Sequence, residues 1–255
     1  MKVATFNTNS IRTRMKIIQD WLIREGPDLL CIQETKVQDQ DFPVDQMEEV
    51  GYHIVSRGQK AYNGVAIASN SPLEEVRRNL YKEDEQARFI SAKFQGIPLI
   101  NVYVPQGFGV GTEKFKYKLQ WLKDLLAHIK GHYDSGQPLL LTGDFNVALE
   151  PVDVYDPEEL RGQVGFHEDE QAILKEYFKW GLVDIFRKHH SDGSHFTFWD
   201  YRIPNGFKRN MGWRIDYILA TPPLAQKSIR AWVDKEPRTY EKPSDHTFLV
   251  AEFEA

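Results

Sequence analysis

The chain has 255 residues, 41% of them hydrophobic and 27% charged, the composition of a water-soluble globular protein. No apolar run approaches the ~18 residues of a membrane span, and Cys31, the single cysteine, excludes an internal disulfide. With 32 Lys and Arg against 37 Asp and Glu the net charge is -5, which excludes a generic polyanion binder but not a local basic surface.

In chain order, Lys2–Asn7 reads as a first strand with no signal-peptide pattern. Ile11–Arg24 carries Ile11, Met15, Ile18 and Leu22 at helical spacing and ends at Gly26-Pro27. Short strands follow at Asp28–Gln33, Tyr52–Ser56, Gly64–Ser69, Phe89–Phe94 and Leu99–Val104. Cys31 lies inside an apolar strand, as a buried inert thiol would, and a reducing cytoplasm is its natural setting. Thr112–Tyr133 reads as a long helix with Thr112 as N-cap and Phe115, Leu119, Leu122, Leu126 and Ile129 on one face. Leu139–Thr142 is a strand, His167–Lys179 a third helix, and Arg214–Ala220, Ser228–Val233 and Thr247–Phe253 close the series. Strict βαβ alternation is absent, so two largely antiparallel or mixed sheets packed together, with helices outside, are expected in one domain spanning residues 1–255.

Polar residues collect at the ends of these strands: Asn7, Gln33 with Glu34, Tyr103 with Gln106, Asp144 with Asn146, Asp216, and Asp245 with His246. In the segment Leu139–Asn146 a buried-type run ends in Gly143, and Asp144 and Asn146 share a side-chain direction if the extended period continues. Each deposit alone also fits an ordinary cap or Asx turn. Together they form a hard, oxygen-rich set suited to Mg²⁺ or Mn²⁺, without the thiolates and clustered histidines of a zinc site. His128 and His132 read as surface or helix-end residues, and His189 and His190 as solvated. His246 differs, because a second carboxylate on its other nitrogen would fix its tautomer and raise its pKa. No Walker-type phosphate loop and no G-x-S-x-G elbow occurs.

Tyr201–Ile215 is a local exception in an acidic chain. Arg202, Lys208, Arg209 and Arg214 alternate there with Tyr201, Phe207 and Trp213, and Phe196, Phe198 and Trp199 lie just upstream. Such a segment either neutralises phosphates and lines a pocket for a displaced sugar or fills a satellite core. Gln59–Asn63 and Lys114, Lys116 and Lys118 are weaker basic candidates, and lysines near a helix start are usually solvated.

These residues resemble the exonuclease III family of abasic-site endonucleases, within the endonuclease/exonuclease/phosphatase superfamily. The matching motifs are T-F-N-T-N-S at Thr5–Ser10, L-L-C-I-Q-E-T-K at Leu29–Lys36, N-G-V-A-I at Asn63–Ile67, Y-V-P-Q-G at Tyr103–Gly107, and G-D-F-N at Gly143–Asn146. F-T-F-W-D-Y at Phe196–Tyr201, G-W-R-I-D-Y at Gly212–Tyr217 and P-S-D-H at Pro243–His246 complete the series.

The resemblance implies a DNase I-like, four-layer α/β/β/α sandwich. It implies Mg²⁺, with Mn²⁺ as the alternative, held chiefly by Glu34, with Asn7, Asp144, Asn146 and Asp245 as the further metal residues. It further implies that Asp144 activates or orients the attacking water, that Asn146 holds that water or a phosphate oxygen, and that Tyr103 contacts phosphate or moves a proton. His246, oriented by Asp216, would stabilise the phosphate, and Gln106 would sit beside it. Phe198, Trp213 and Ile215 would receive a baseless sugar, with Arg214 among the substrate contacts. The implied activity is a DNA repair nuclease that cuts 5′ to abasic sites in duplex DNA, leaves a 3′-hydroxyl, and trims 3′ ends. The partner is double-stranded DNA with abasic sites or 3′ ends; a cytoplasmic monomer without membrane attachment is expected. Another phosphodiesterase or phosphatase of the superfamily, or a non-catalytic nucleic-acid-binding regulator, are the alternatives.

Overall fold

The computed structural model describes residues 1–81 and 85–254. Among them are twelve strands: β1 (Lys2–Asn7), β2 (Leu29–Gln33), β3 (His53–Arg57), β4 (Val65–Ser69), β5 (Glu74–Arg77) and β6 (Phe89–Phe94) come first. β7 (Ile97–Tyr103), β8 (Leu140–Asp144), β9 (Val183–Asp184), β10 (Asp216–Ala220), β11 (Ser228–Asp234) and β12 (Phe248–Phe253) follow. The helices are α1 (Ile11–Glu25), α2 (Val44–Glu48), α3 (Glu113–His132), α4 (Pro157–Leu160), α5 (Glu168–Trp180), α6 (Ile185–His189) and α7 (Pro222–Ala225). None is long and apolar enough to cross a membrane.

The expected stripe of α1 is buried, and Gly26 ends the helix in the left-handed conformation. Thr112 caps α3 by accepting the Phe115 N–H. His167 was expected inside its helix; it stands just before α5 as the N-cap, in a capping box with Glu170. β5, β9, α2, α4, α6 and α7 are missing from the sequence reading because they are short and carry no clear periodicity.

The strands form two six-stranded sheets, ordered β11-β12-β1-β2-β4-β3 and β5-β6-β7-β8-β10-β9. One apolar cluster, including Leu29, Cys31, Ile67, Leu99, Leu140 and Leu249, fills the space between them. A second packs α1 and α2 on the outer face of the first sheet, and a third packs α3 and α5 on the outer face of the other. The four-layer α/β/β/α sandwich is therefore observed.

Both sheets are antiparallel except at one central pair each, where β1 runs parallel to β2 and β7 to β8. Parallel neighbours deliver their C-terminal ends to the same edge, so Asn7 lies beside Gln33 and Tyr103 beside Asp144. β10 runs the other way and begins there, with Asp216 opposite Asp144. A buried polar bridge sets the sheets against one another. Gln33 Nε2 donates to Asn101 Oδ1 at 2.7 Å, and Asn101 Nδ2 donates to the Ile32 and Ala66 carbonyls at 3.0 and 2.9 Å. A one-residue slip of either sheet would orphan these groups.

Candidate active site

The strand-end deposits meet at this edge, and Asn7 joins them across the sheets. Its wholly buried amide nitrogen donates to Glu34 Oε1 and Asp144 Oδ2, each at 2.8 Å, and its oxygen accepts the Asn9 N–H at 3.0 Å. Asp144 Oδ1 accepts the Asn146 backbone N–H at 2.8 Å, while Asn146 Nδ2 donates to the Val104 carbonyl at 3.0 Å. Both readings of that turn therefore hold: it is an Asx turn, and it is built into the site. The oxygen by which Asn7 would ligate a metal, as expected, also accepts the Asn9 N–H, while Asn7 keeps both amide hydrogens on the two carboxylates. It holds them in place.

His246 is buried, with Nδ1 2.9 Å from Asp216 Oδ2 and Nε2 3.8 Å from Asp144 Oδ2. Burial opposes its charge, but the two carboxylates outweigh burial and push its pKa up to about 10. The imidazolium is the resting form. Burial, with repulsion from Asp216 and Glu34, pushes Asp144 up to about 7 against the pull of His246 and Asn7. Asp144 and His246 thus titrate as a pair, with one group suited to taking a proton near neutrality and one to staying charged. Burial, then the charges of Glu34 and Asp144, hold the Tyr103 phenol well above its ordinary pKa, so it stays a donor. The Phe198 ring lies against His246, centroids 4.8 Å apart.

Burial also opposes charge on Glu34. The Lys36 ammonium, 2.8 Å from Oε2, and the Asn7 amide overcome it and hold the carboxyl below its ordinary range. Lys36 also donates to Asn9 Oδ1, and Asn9 Nδ2 reaches Asp245 Oδ1 at 3.0 Å. A cation is therefore already held by the oxygens of Glu34 and Asn9, with Asp245 next to them. This hard donor set fits a divalent metal. Asp144, Asp216 and His246 also place one ligand atom each within 4.8 Å of the others. The buried His246 ring is fixed on Asp216 there, whereas the part-exposed Lys36 ammonium is on a flexible stem that can withdraw from Glu34, so the Glu34 side is the better seat. Asn9 and Lys36 were not assigned from sequence; the signal was their place inside motifs already noted, two residues from Asn7 and Glu34.

Above this floor opens a cleft of about 760 Å³. Glu34, Tyr103, Gln106, Asn146, Phe198, Trp213, Ile215, Asp245 and His246, all expected in the site, border it. Phe198, Trp213, Ile215 and Leu160 form its apolar wall, backed by the buried Ala148, Val154 and Phe166. Gln106 is exposed at the rim and accepts the Phe108 N–H at 2.7 Å.

Arg214 requires correction as a substrate contact. It is fully buried, forked onto Asp153 at 2.7 and 3.1 Å, and bonded to Asp184 at 2.7 Å. The chain enters β10 extended, so Arg214, between Trp213 and Ile215, points away from the cleft that those two line. The basic aromatic segment is likewise divided. Phe196 and Trp199 are core residues, and the Arg238 guanidinium faces Trp199, Tyr201 and Phe207 at 5.2–5.7 Å. Lys118 is wholly buried rather than solvated. His128 is half-buried, and burial with its neighbour His132 lowers its pKa to about 4. His189 and His190 are bonded to Ser228 Oγ and the Ala231 carbonyl rather than free in solvent. Cys31 is buried, and burial pushes its thiol up to about 12, as an inert core cysteine requires.

Comparison with known proteins agrees with this geometry. Residues 4–246 match the Endonuclease/Exonuclease/phosphatase family. The chain is 34% identical to exodeoxyribonuclease III of Haemophilus influenzae, over 99% of this chain and 100% of that one. An AP endonuclease structure from Archaeoglobus fulgidus superposes with TM-score 0.97 at 45% identity, covering 100% of both chains. A 3′-5′ exonuclease from Neisseria meningitidis gives TM-score 0.97 at 37% identity, again covering 100% of both chains.

Proposed function

The chain belongs to the exonuclease III/AP endonuclease group of the endonuclease/exonuclease/phosphatase family, and we propose that this metal-dependent DNA repair nuclease hydrolyses the phosphodiester 5′ to abasic sites in duplex DNA. It leaves a 3′-hydroxyl and also removes nucleotides from 3′ ends. The observation that carries the reading is the Asn7 bridge between Glu34 and Asp144, beside the Asp216–His246 pair, at the floor of a cleft walled by Phe198, Trp213 and Ile215.

Asp144 takes the proton of the attacking water, and Asn146, locked to Asp144 by its own N–H, positions that water. The His246 cation, oriented by Asp216, stabilises charge growing on the non-bridging oxygens, and the Tyr103 hydroxyl donates to the phosphate. Gln106 contacts the phosphate from the rim. Glu34, with Asn9 and Asp245, would hold Mg²⁺, or Mn²⁺ in its place. Bound there, it would supply Lewis-acid stabilisation of the growing negative charge. Selection needs no base reading, because the Phe198–Trp213–Ile215 wall suits a sugar without its base. We further propose that residues 1–255 act as one domain, monomeric and cytoplasmic.

The test is cleavage of an abasic duplex with Mg²⁺, with EDTA as control and intact and uracil-containing duplexes for comparison. A 3′-hydroxyl product at the abasic site is expected only with metal. Cleavage that persists in EDTA, or faster turnover of a phosphomonoester or of RNA, would overturn the proposal.

A further inference from the structure

Beneath the cleft lies an ion pair that this chemistry does not use. Lys118 on α3 and Glu170 in the first turn of α5 are both wholly buried, with their charged groups in direct contact. The ammonium makes its ion-pair contact with Glu170 Oε1 and donates to the Asn146 carbonyl at 2.7 Å and the Gln106 carbonyl at 3.2 Å. Glu170 Oε2 accepts the Gly165 N–H at 2.8 Å and the His167 N–H at 3.2 Å. The Gly165 carbonyl in turn accepts the Ala148 N–H at 2.6 Å. Gly165 also sits hard against the wall, since a Cβ there would stand 3.1 Å from Trp213 Cζ3 and 3.3 Å from the Asn146 carbonyl.

A buried ion pair is a poor device for stability alone, because desolvation cancels much of the attraction and a well-packed apolar pair serves as well. An apolar pair cannot, however, donate to two carbonyls and accept two amides. Asn146 stands at φ 52, a left-handed conformation that its surroundings must hold. We propose that Lys118 and Glu170 are positioning residues that fix three loops against two rigid helices: the Gln106 loop, the Asn146 turn and the Gly165 loop behind Trp213. They act through Asn146 and Gln106 and touch no substrate. The inference rests on the nuclease reading for its kinetic consequence only.

The test is the double variant Lys118→Met/Glu170→Leu, which removes both charges without stranding either. Its kcat on an abasic duplex should fall about 10- to 100-fold, as expected when a reacting group is misplaced by about 1 Å, with the Mg²⁺ midpoint unchanged. Hydrogen exchange at the Asn146 and Ala148 amides should accelerate about tenfold or more. Lys118→Arg, which keeps the donors, should recover part of both. Tyr177→Phe breaks a buried bond to the Leu122 carbonyl between the same two helices, and should lower stability while leaving kcat unchanged. Wild-type kcat and wild-type exchange in the folded double variant would overturn the proposal. If that variant does not fold, Glu170→Gln, which keeps the shape and loses the charge, gives the same two readings. Should the wild-type protein fail to cut abasic DNA, the nuclease reading falls, and exchange at Asn146 and Ala148 still decides the positioning role.

Discussion

Asp216→Asn keeps the shape of the floor and removes one charge from His246. At 2.9 Å, the attraction of that carboxylate for the imidazolium is about 6 kcal/mol at an effective dielectric of ~20. Asp144, at 3.8 Å, adds about 4 kcal/mol by the same rule. Together they are worth roughly seven pKa units, and full burial takes back about three to five. The remainder matches the rise of His246 to about 10. Without Asp216 about four units are lost, and the imidazole returns to its ordinary value or below. At pH 8 only about 1–3% of it would stay charged. Loss of charge alone then costs about 30- to 100-fold, and loss of orientation raises the cost toward about 10⁴, as when other catalytic histidines lose their carboxylate. The working forms are Asp144 ionised and His246 protonated. In the wild type, kcat/KM should therefore rise with pH to a limb at or below about 7, lowered further by bound metal, and fall only near 10. In the variant the alkaline limb should move down to about 6–7. The assay is kcat/KM on an abasic duplex from pH 5.5 to 10.5, with the His246 ring followed by NMR; those pH limits are set on the order of the limbs above. A variant whose alkaline limb stays near 10, or that loses less than about tenfold, would refute the reasoning.

Glu34→Gln should raise the Mg²⁺ midpoint by at least about tenfold and cut the rate by about 10² to 10³, whereas His128→Ala should stay within about twofold; a metal titration of both reads this. Trp213→Ala opens the apolar wall and should raise KM for the abasic duplex by about 10- to 100-fold, with less effect on removal of 3′ nucleotides, as paired endonuclease and exonuclease assays would show. Arg214→Met leaves Asp153 with Arg187 as its one remaining guanidinium partner and takes the guanidinium from Asp184, and should cost about 3 kcal/mol in denaturant unfolding, the low end for a broken buried pair. Despite burial, Arg214 and Arg187 hold the Asp153 carboxyl below its ordinary range. A depressed folded pKa gives stability that is present above the unfolded value of about 3.9 and is lost as pH falls through the folded one. The wild type should therefore shed this contribution only below about pH 4, measured by acid unfolding, and Asp153→Asn should lack it.

The layers and most of the site were legible because sheet geometry turns sequence pattern into position. Each apolar run becomes a strand, and the parallel pairs β1–β2 and β7–β8 carry their last residues to one edge. A list of polar residues at strand ends was therefore already a list of neighbours. Side-chain direction within a strand was equally readable. Phe198, Trp213 and Ile215 reached the cleft, and Arg214, one residue out of phase, could have been excluded from it by the same alternation.

Pairings between distant residues were not legible. Asn7 satisfies carboxylates 27 and 137 residues away, and nothing local distinguishes such an amide from one that only ligates a metal. Lys118 stands among the charged residues of an amphipathic helix, and only the arrival of Glu170, Gln106 and Asn146 makes its place an interior one. Backbone conformation was hidden as well. Of the thirteen non-glycine residues at positive φ among the described residues, six border the site: Asn9, Ser10, Glu34, Lys36, Phe108 and Asn146. Asparagine tolerates that region, but glutamate, lysine and phenylalanine do so at a cost. Such conformations persist only where surrounding contacts over-determine them, and at Asn9, Glu34, Lys36 and Asn146 those contacts are the Asn7 bridge, the Lys36 ammonium and the Lys118–Glu170 pair. The strain and the buried charges are thus two sides of one arrangement, in which costly side-chain networks hold costly backbone turns so that Glu34, Asp144 and Asn146 face a single point.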